Sequence, residues 1–284
     1  MDYLPSSCSL IRQHDIVDGN GMHLMDECLM ADRVIQDSNT TALRMIFIGD
    51  SVMDLQRKMW PELMGGMTKS SHIQLLPLIP THGGLLLTIN TVKEKLNQIK
   101  SVNPEERQII IFNAGLHDVK KLCGKSWSSL RKTEMNITDD NFSCIDLYRS
   151  CFQELVDAIG AYDARLKIFR TTTAGWHKYG NFGFAWPADT PQTLPFSTHM
   201  VYQFNQVALD VVKRSQFDVH DLDGYWLSLP RPDHTEVTRE NVIGQHLVHY
   251  GPEVIGVMNR QLLMLILHDT CPQTLEAWPS AERS

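Results

Sequence analysis

Three short, near-continuous apolar runs constrain this chain more than any other feature. They are Leu43 to Gly49 (LRMIFIG), Arg107 to Asn113 (RQIIIFN) and Leu166 to Thr173 (LKIFRTTT). A strand with one wet face alternates apolar and polar residues. A run without that alternation suits a strand buried on both faces, and such strands belong to parallel sheets covered by helices. Between the runs lie segments with apolar residues three and four apart: Val52 to about Leu63, Leu87 to Lys100, Asp146 to Tyr162, His199 to Lys213 and Pro252 to Leu267. In the third of these, Leu147, Cys151, Leu155 and Ile159 fall on one helical face. Weaker strand signals occupy His72 to Leu78 and Phe217 to Leu222, whereas 174–196 and 223–251 read as loop or irregular structure. The alternation predicts βαβ units and an α/β fold with four or five parallel strands. At 284 residues and 43% hydrophobic content, the chain has material for one large core. The pattern predicts a lead-in segment over 1–41, one domain over 42–268 and a tail over 269–284.

Charge and composition exclude several partners. With 26 basic against 33 acidic residues the net charge is −7, and no basic run is present. That argues against nucleic acid or an anionic membrane as the main partner, because both require a positive field. No stretch approaches the roughly 18 to 20 apolar residues of a membrane-spanning helix. The first residues, MDYLPSSCSL, lack the basic start and apolar centre of a signal peptide. Against this, N-x-[ST] sequons stand at Asn39, Asn136 and Asn141 and point to the secretory pathway. Six cysteines are present but widely spaced: Cys8 and Cys28 lie in the lead-in, and Cys123, Cys144 and Cys151 flank one polar stretch. Reduced buried thiols and disulfides account for them equally well. No CxxC pair exists, and the His246/His249 pair has no third ligand at metal spacing, so neither a metal nor another cofactor is expected.

In open parallel sheets, functional groups gather beyond the carboxyl ends of the strands. The first run ends in Gly49-Asp50-Ser51, where the next helix begins. A serine there projects from the sheet edge, and the helix N-terminus favours developing negative charge. By itself the tripeptide is equally a turn glycine with a capped helix start. Asn113 ends the second run; its amide is a candidate oxyanion donor, or else a loop-start residue satisfying backbone groups. Gly83-Gly84 leaves a backbone N–H unobstructed for the same oxyanion, or makes a plain turn. Arg231-Pro232-Asp233-His234 and His246-Leu247-Val248-His249-Tyr250 follow every strand. A nucleophile first and a histidine last is one of the orders used by convergent hydrolases.

Together these blocks resemble the SGNH (GDSL-type) hydrolase superfamily. More narrowly, they resemble the PC-esterase group that includes the plant trichome-birefringence-like O-acetyltransferases. Residues 47–54 (FIGDSVMD) resemble the nucleophile block, and 110–118 (IIFNAGLHD) the third block. Arg231 to His234 and His249 to Pro252 resemble the closing segment, with 169–173 and Gly180-Asn181 between. The likeness spans about residues 42 to 267. It implies a three-layer α/β/α sandwich with a mainly parallel, flavodoxin-like sheet. It also implies ester hydrolysis or O-acetyl transfer on a small ester or an acetylated glycan. By the same resemblance, Ser51 is the nucleophile, and the N–H groups of Ser51 and Gly84 with the Asn113 side chain bind the oxyanion. His249 is the general base.

The chain departs from the family at one point. The family places an aspartate three residues before the catalytic histidine, and here that position is His246. Three arrangements stay open: Asp233 supplies the acid from another loop, Ser51 and His249 work as a dyad, or the site is degenerate and the protein binds glycan without turnover. In the 174–196 loop, Trp176 and Trp186 are candidates for stacking on sugar rings, unless the loop buries its aromatics in a satellite core.

Overall fold

The computed structural model describes residues 43–63, 73–99, 106–123, 143–175, 198–231 and 249–270. The elements in chain order are β1 (Leu43–Gly49), α1 (Ser51–Leu63), β2 (Ile73–Leu75), β3 (Ile79–Pro80), α2 (Leu85–Gln98), β4 (Arg107–Phe112) and α3 (Leu116–Cys123). They continue with α4 (Cys144–Ala161), β5 (Leu166–Arg170), α5 (Thr198–Arg214), β6 (His220–Leu222), α6 (Gly224–Ser228) and α7 (Pro252–Thr270).

The strands form one sheet in the order β2-β1-β4-β5-β6, with β3 also paired to β1. Every pairing is parallel. The central strands are covered on both sides, and their residues divide between two cores. On one face Ile46, Ile48, Ile110, Phe112 and Phe169 pack with side chains of α2, α4 and α5. On the other, Leu43, Met45, Phe47, Ile109, Ile111 and Ile168 meet Met53 and Trp60 of α1 and Leu262, Leu263 and Ile266 of α7. Successive side chains of a strand point to opposite faces. Continuous apolar sequence is therefore what fills both layers, and the fold is the expected three-layer α/β/α sandwich.

Among the described residues the sheet has six strands, where four or five were expected. Of the strand expected over 72–78, Ile73–Leu75 pairs with β1, and a second short piece, Ile79–Pro80, pairs with β1 just beyond it, after Leu76-Pro77-Leu78. Pro77 has no N–H to give to a ladder, and short broken pairing is what an edge tolerates. Two helices lie where loop was expected. One is α3, directly after Asn113-Ala114-Gly115. The other is α6, where the Asp223 side chain caps the helix by accepting from the Trp226 N–H.

The even cysteine count resolves in part. Cys144 is disulfide-bonded. Cys151 is a free, buried thiol, and burial pushes its pKa up to about 11. No helix among the described residues is long and apolar enough to cross a membrane.

Candidate active site

All strands run the same way, so their carboxyl ends share one edge. β1 delivers Gly49, Asp50 and Ser51 there. Asp50 is buried, and its Oδ1 accepts from the Val52 N–H at 3.0 Å while its carbonyl accepts from the Asp54 N–H at 3.0 Å. It thus caps α1. Ser51 becomes the first residue of the helix, where a backbone N–H has no intrahelical acceptor and the dipole is positive.

Across 198 residues of sequence, His249 meets Ser51: Nε2 lies 2.8 Å from Oγ. The neighbouring Tyr250 fixes this approach. Its ring is 1% exposed and packs with Val254, Ile255 and Met258 of α7 and with Leu55 and Met59 of α1. Its hydroxyl donates to the Ala174 carbonyl at 2.9 Å. Ala174 is held in turn by its N–H to Ser228 Oγ at 2.9 Å, and the Asn205 side chain bonds both the N–H and the carbonyl of Thr172. The loop after β5 is therefore pinned to α5 and α6, and it pins the histidine segment.

Asn113 follows β4 next to the end of β1. Its N–H donates to the Ile48 carbonyl, and its side chain is fully buried with neither Oδ1 nor Nδ2 hydrogen-bonded. The close packing that excludes partners is visible at Gly49, where a Cβ would stand 2.7 Å from Asn113 Oδ1. Gly84 adopts φ +81 at the start of α2. Its N–H, a candidate oxyanion donor, is used inside the turn and donates to the Thr81 carbonyl at 2.8 Å. The Thr81 N–H in turn donates to the Gly49 carbonyl at 2.8 Å, so the glycine loop is attached to the turn that leads to Ser51.

Two buried charges that the sequence did not single out lie beneath the edge. Arg170, at the end of β5, is fully buried; its Nη1 faces Met258 Sδ at 4.0 Å, and Nε and Nη2 make no hydrogen bond. Desolvation pulls its pKa down to about 10, and the Asp50 charge opposes that fall. Asp118 of α3 is 1% exposed and accepts from the Leu85 N–H at 2.7 Å. Burial pushes its pKa up to about 7, helped by the negative charge of Asp50 and opposed by the amides around it.

The structure therefore brings Ser51 and His249 into contact and sets the Asn113 side chain against Gly49, two residues before Ser51, with Gly84 one loop away. Asp233, His246, Trp176 and Trp186 lie outside the described residues, as do the sequon asparagines Asn39, Asn136 and Asn141. Among the described residues no three His, Cys, Asp or Glu side chains converge as a metal cage.

No protein-family model and no curated protein matches this chain. Among solved structures, a gut microbial diltiazem-metabolizing enzyme superposes with a TM-score of 0.48 at 9% identity, covering 81% of this chain and 48% of that one. This chain thus spans about half the length of that enzyme. A lipase from a goat rumen metagenome gives a TM-score of 0.40 at 11% identity, covering 78% of this chain and 95% of the lipase. Likenesses this distant carry no functional argument, and the chemistry rests on the site itself.

Proposed function

We propose that this chain is a serine-dependent acyl-ester hydrolase or O-acyltransferase of the SGNH type. The observation that carries the reading is the 2.8 Å contact of Ser51 Oγ with His249 Nε2 at the carboxyl edge of a parallel sheet. A serine hydroxyl is a weak nucleophile until a base can take its proton. In the productive tautomer the imidazole carries its proton on Nδ1 and accepts the Ser51 hydroxyl at Nε2. As Oγ attacks an ester carbonyl, the proton moves to Nε2 and the carbonyl electrons move to oxygen. Collapse of the tetrahedral intermediate expels the alcohol, which takes the proton from His249, and leaves an acyl-Ser51. Attack by water completes hydrolysis; attack by another hydroxyl completes transfer.

The oxyanion is assigned to the Ser51 N–H at the start of α1 and to the Asn113 amide, whose buried Nδ2 has no competing acceptor. The Gly84 N–H joins them only by exchanging its bond to Thr81. An acetylated glycan is the substrate class that the family resemblance favours, with Trp176 and Trp186 as stacking residues. Asp233 is the proposed partner acid for His249. The domain is assigned to residues 42–268 and the compartment to the secretory pathway, which the disulfide at Cys144 supports, since disulfides persist where the environment is oxidising.

The test is labelling of the purified protein with a fluorophosphonate, followed by peptide mapping. Modification at Ser51, lost in Ser51→Ala and His249→Ala, is the expected result. Absence of labelling in the native chain with recovery in His246→Asp would instead identify a decayed site, and glycan binding would become the leading function.

A further inference from the structure

We infer that Asp118 is a positioning residue of the oxyanion site, a buried clamp that joins the glycine loop to the loop bearing Asn113. The inference rests on the ester-hydrolase reading above. The geometry begins with two helix starts. α2 begins after Gly84 and α3 after Gly115, the two described glycines with positive φ, at +81 and +138. Each start leaves backbone N–H groups that its own helix cannot satisfy. Asp118 Oδ1 accepts from the Leu85 N–H of α2 at 2.7 Å, and the amides of Gly115 and Asp118 at the start of α3 oppose the rise of its pKa. One side chain on α3 therefore holds the first N–H of α2 across a strand in sequence.

The packing shows that this contact is built rather than incidental. A Cβ at Gly84 would stand 3.2 Å from Asp118 Oδ1, so the loop lies directly on the carboxylate. The loop's other end is held by the Thr81 N–H to the Gly49 carbonyl. Ser51, the 81–85 loop and the 113–118 loop thus form one connected frame, closed by the Ile48 carbonyl accepting from the Asn113 N–H. Without Asp118 the connection between the 81–85 and 113–118 loops through this carboxylate is lost, and the Asn113 N–H bond to the Ile48 carbonyl is left to hold the 113–118 loop at the β1 edge. A water-exposed surface ion pair would hold such a frame weakly; a buried carboxyl that accepts the Leu85 N–H at 2.7 Å holds it more firmly.

The experiment compares the full chain with Asp118→Ala and Asp118→Asn by hydrogen exchange and by steady-state turnover of p-nitrophenyl acetate, with Ser51→Ala as the blank. Asp118→Ala removes every acceptor. Asp118→Asn keeps an oxygen for the Leu85 N–H but sets an NH2 group against the amides of α3. The expected result in Asp118→Ala is faster exchange in peptides covering both 81–88 and 113–119. Its kcat falls by about 10-fold or more with KM little changed, a fraction of the 10²–10³ seen when an oxyanion donor is deleted. Asp118→Asn keeps protection at 84–86, loses it at 115–118 and recovers part of the lost kcat. Unchanged exchange at 81–88 in Asp118→Ala overturns the clamp. Faster exchange with unchanged kcat overturns its role in positioning. A native chain without Ser51-dependent turnover overturns the ester-hydrolase reading, and the exchange data then report on the clamp separately.

Discussion

Gly49 offers the sharpest test of how the site is assembled. A Cβ added there would lie 2.5 Å from Met53 Cβ, 2.7 Å from Asn113 Oδ1 and 2.9 Å from Met53 Cγ. Ordinary Cβ contacts begin near 3.4 Å, so the shortest of these needs about 0.9 Å of separation (3.4 minus 2.5). Met53 Cβ is fixed to the backbone of α1 and cannot rotate away. The helix start must move from the strand, and the Asn113 side chain must move as well. Overpacking of this kind costs about 1–3 kcal/mol. For a chain of this size, a loss of about 2 kcal/mol corresponds to a fall in Tm of about 4–8 °C. Displacing reacting groups by 1 Å costs about 10²-fold in rate. Gly49→Ala is therefore expected to lose both stability and nearly all esterase turnover, measured by calorimetry and with p-nitrophenyl acetate. Gly160→Ala is the control. Its Cβ would meet the Phe217 ring at 2.1 Å, at the opposite edge of the sheet, so Tm falls while kcat per folded molecule stays. A Gly49→Ala protein with Tm within about 1 °C and kcat within about twofold of the native values would refute the packing argument.

Two further outcomes follow from the structure. Gly256 lies within α7 with nothing inside 4 Å of an added Cβ, so Gly256→Ala should stabilise by about 0.5–1 kcal/mol through helix propensity, seen as a small rise in Tm. Asp118 sets a pH dependence of stability. Its pKa rises from 3.8 to about 7 on folding, so the folded state holds this proton more tightly, and stability is lost as pH rises from about 4 through 7. The shift of about 3 units corresponds to a loss on the order of 4 kcal/mol. Denaturant unfolding of the native chain and Asp118→Asn across that window should show the native chain losing ground as pH rises; a constant difference would refute the assignment.

The strands were legible because burial on both faces leaves its mark in one dimension: β1 and β4 carry unbroken apolar runs over 45–48 and 109–112, and β5 adds Ile168 and Phe169, with neighbours packed on opposite faces. The helices between them were legible through their stripes. α3 was not, because FNAGLHD carries the glycine and polar content of a loop. Its signal was present in Gly115 followed three residues later by Asp118, a helix start with a carboxylate in its first turn. α6 was missed in the same way, although Asp223 stands three residues before Trp226, whose N–H it accepts. The residues proposed as nucleophile, base and oxyanion amide, Ser51, His249 and Asn113, could be singled out because each follows a strand end or precedes the last helix. The engagement of the Gly84 N–H with Thr81 was not readable, because a turn bond depends on ψ values that composition does not fix.

The buried charges show why part of a site escapes sequence. Arg170 and Asp118 look like any arginine and aspartate, and most such residues are exposed. Here they are buried around Asp50, whose charge opposes the fall of the Arg170 pKa and raises that of Asp118. Asp50 therefore has two electrostatic neighbours of opposite sign while its Oδ1 caps the helix that begins at Ser51. The arrangement has a direct consequence for substitutions. Replacing Arg170 by a neutral residue leaves Asp50 and Asp118 as two uncompensated buried carboxylates, which favours a shared proton. Replacing Asp118 removes one negative charge and leaves the Asp50–Arg170 pair. The two changes remove charges of opposite sign from one network, so their effects should couple rather than add, as expected for groups sharing buried electrostatic partners.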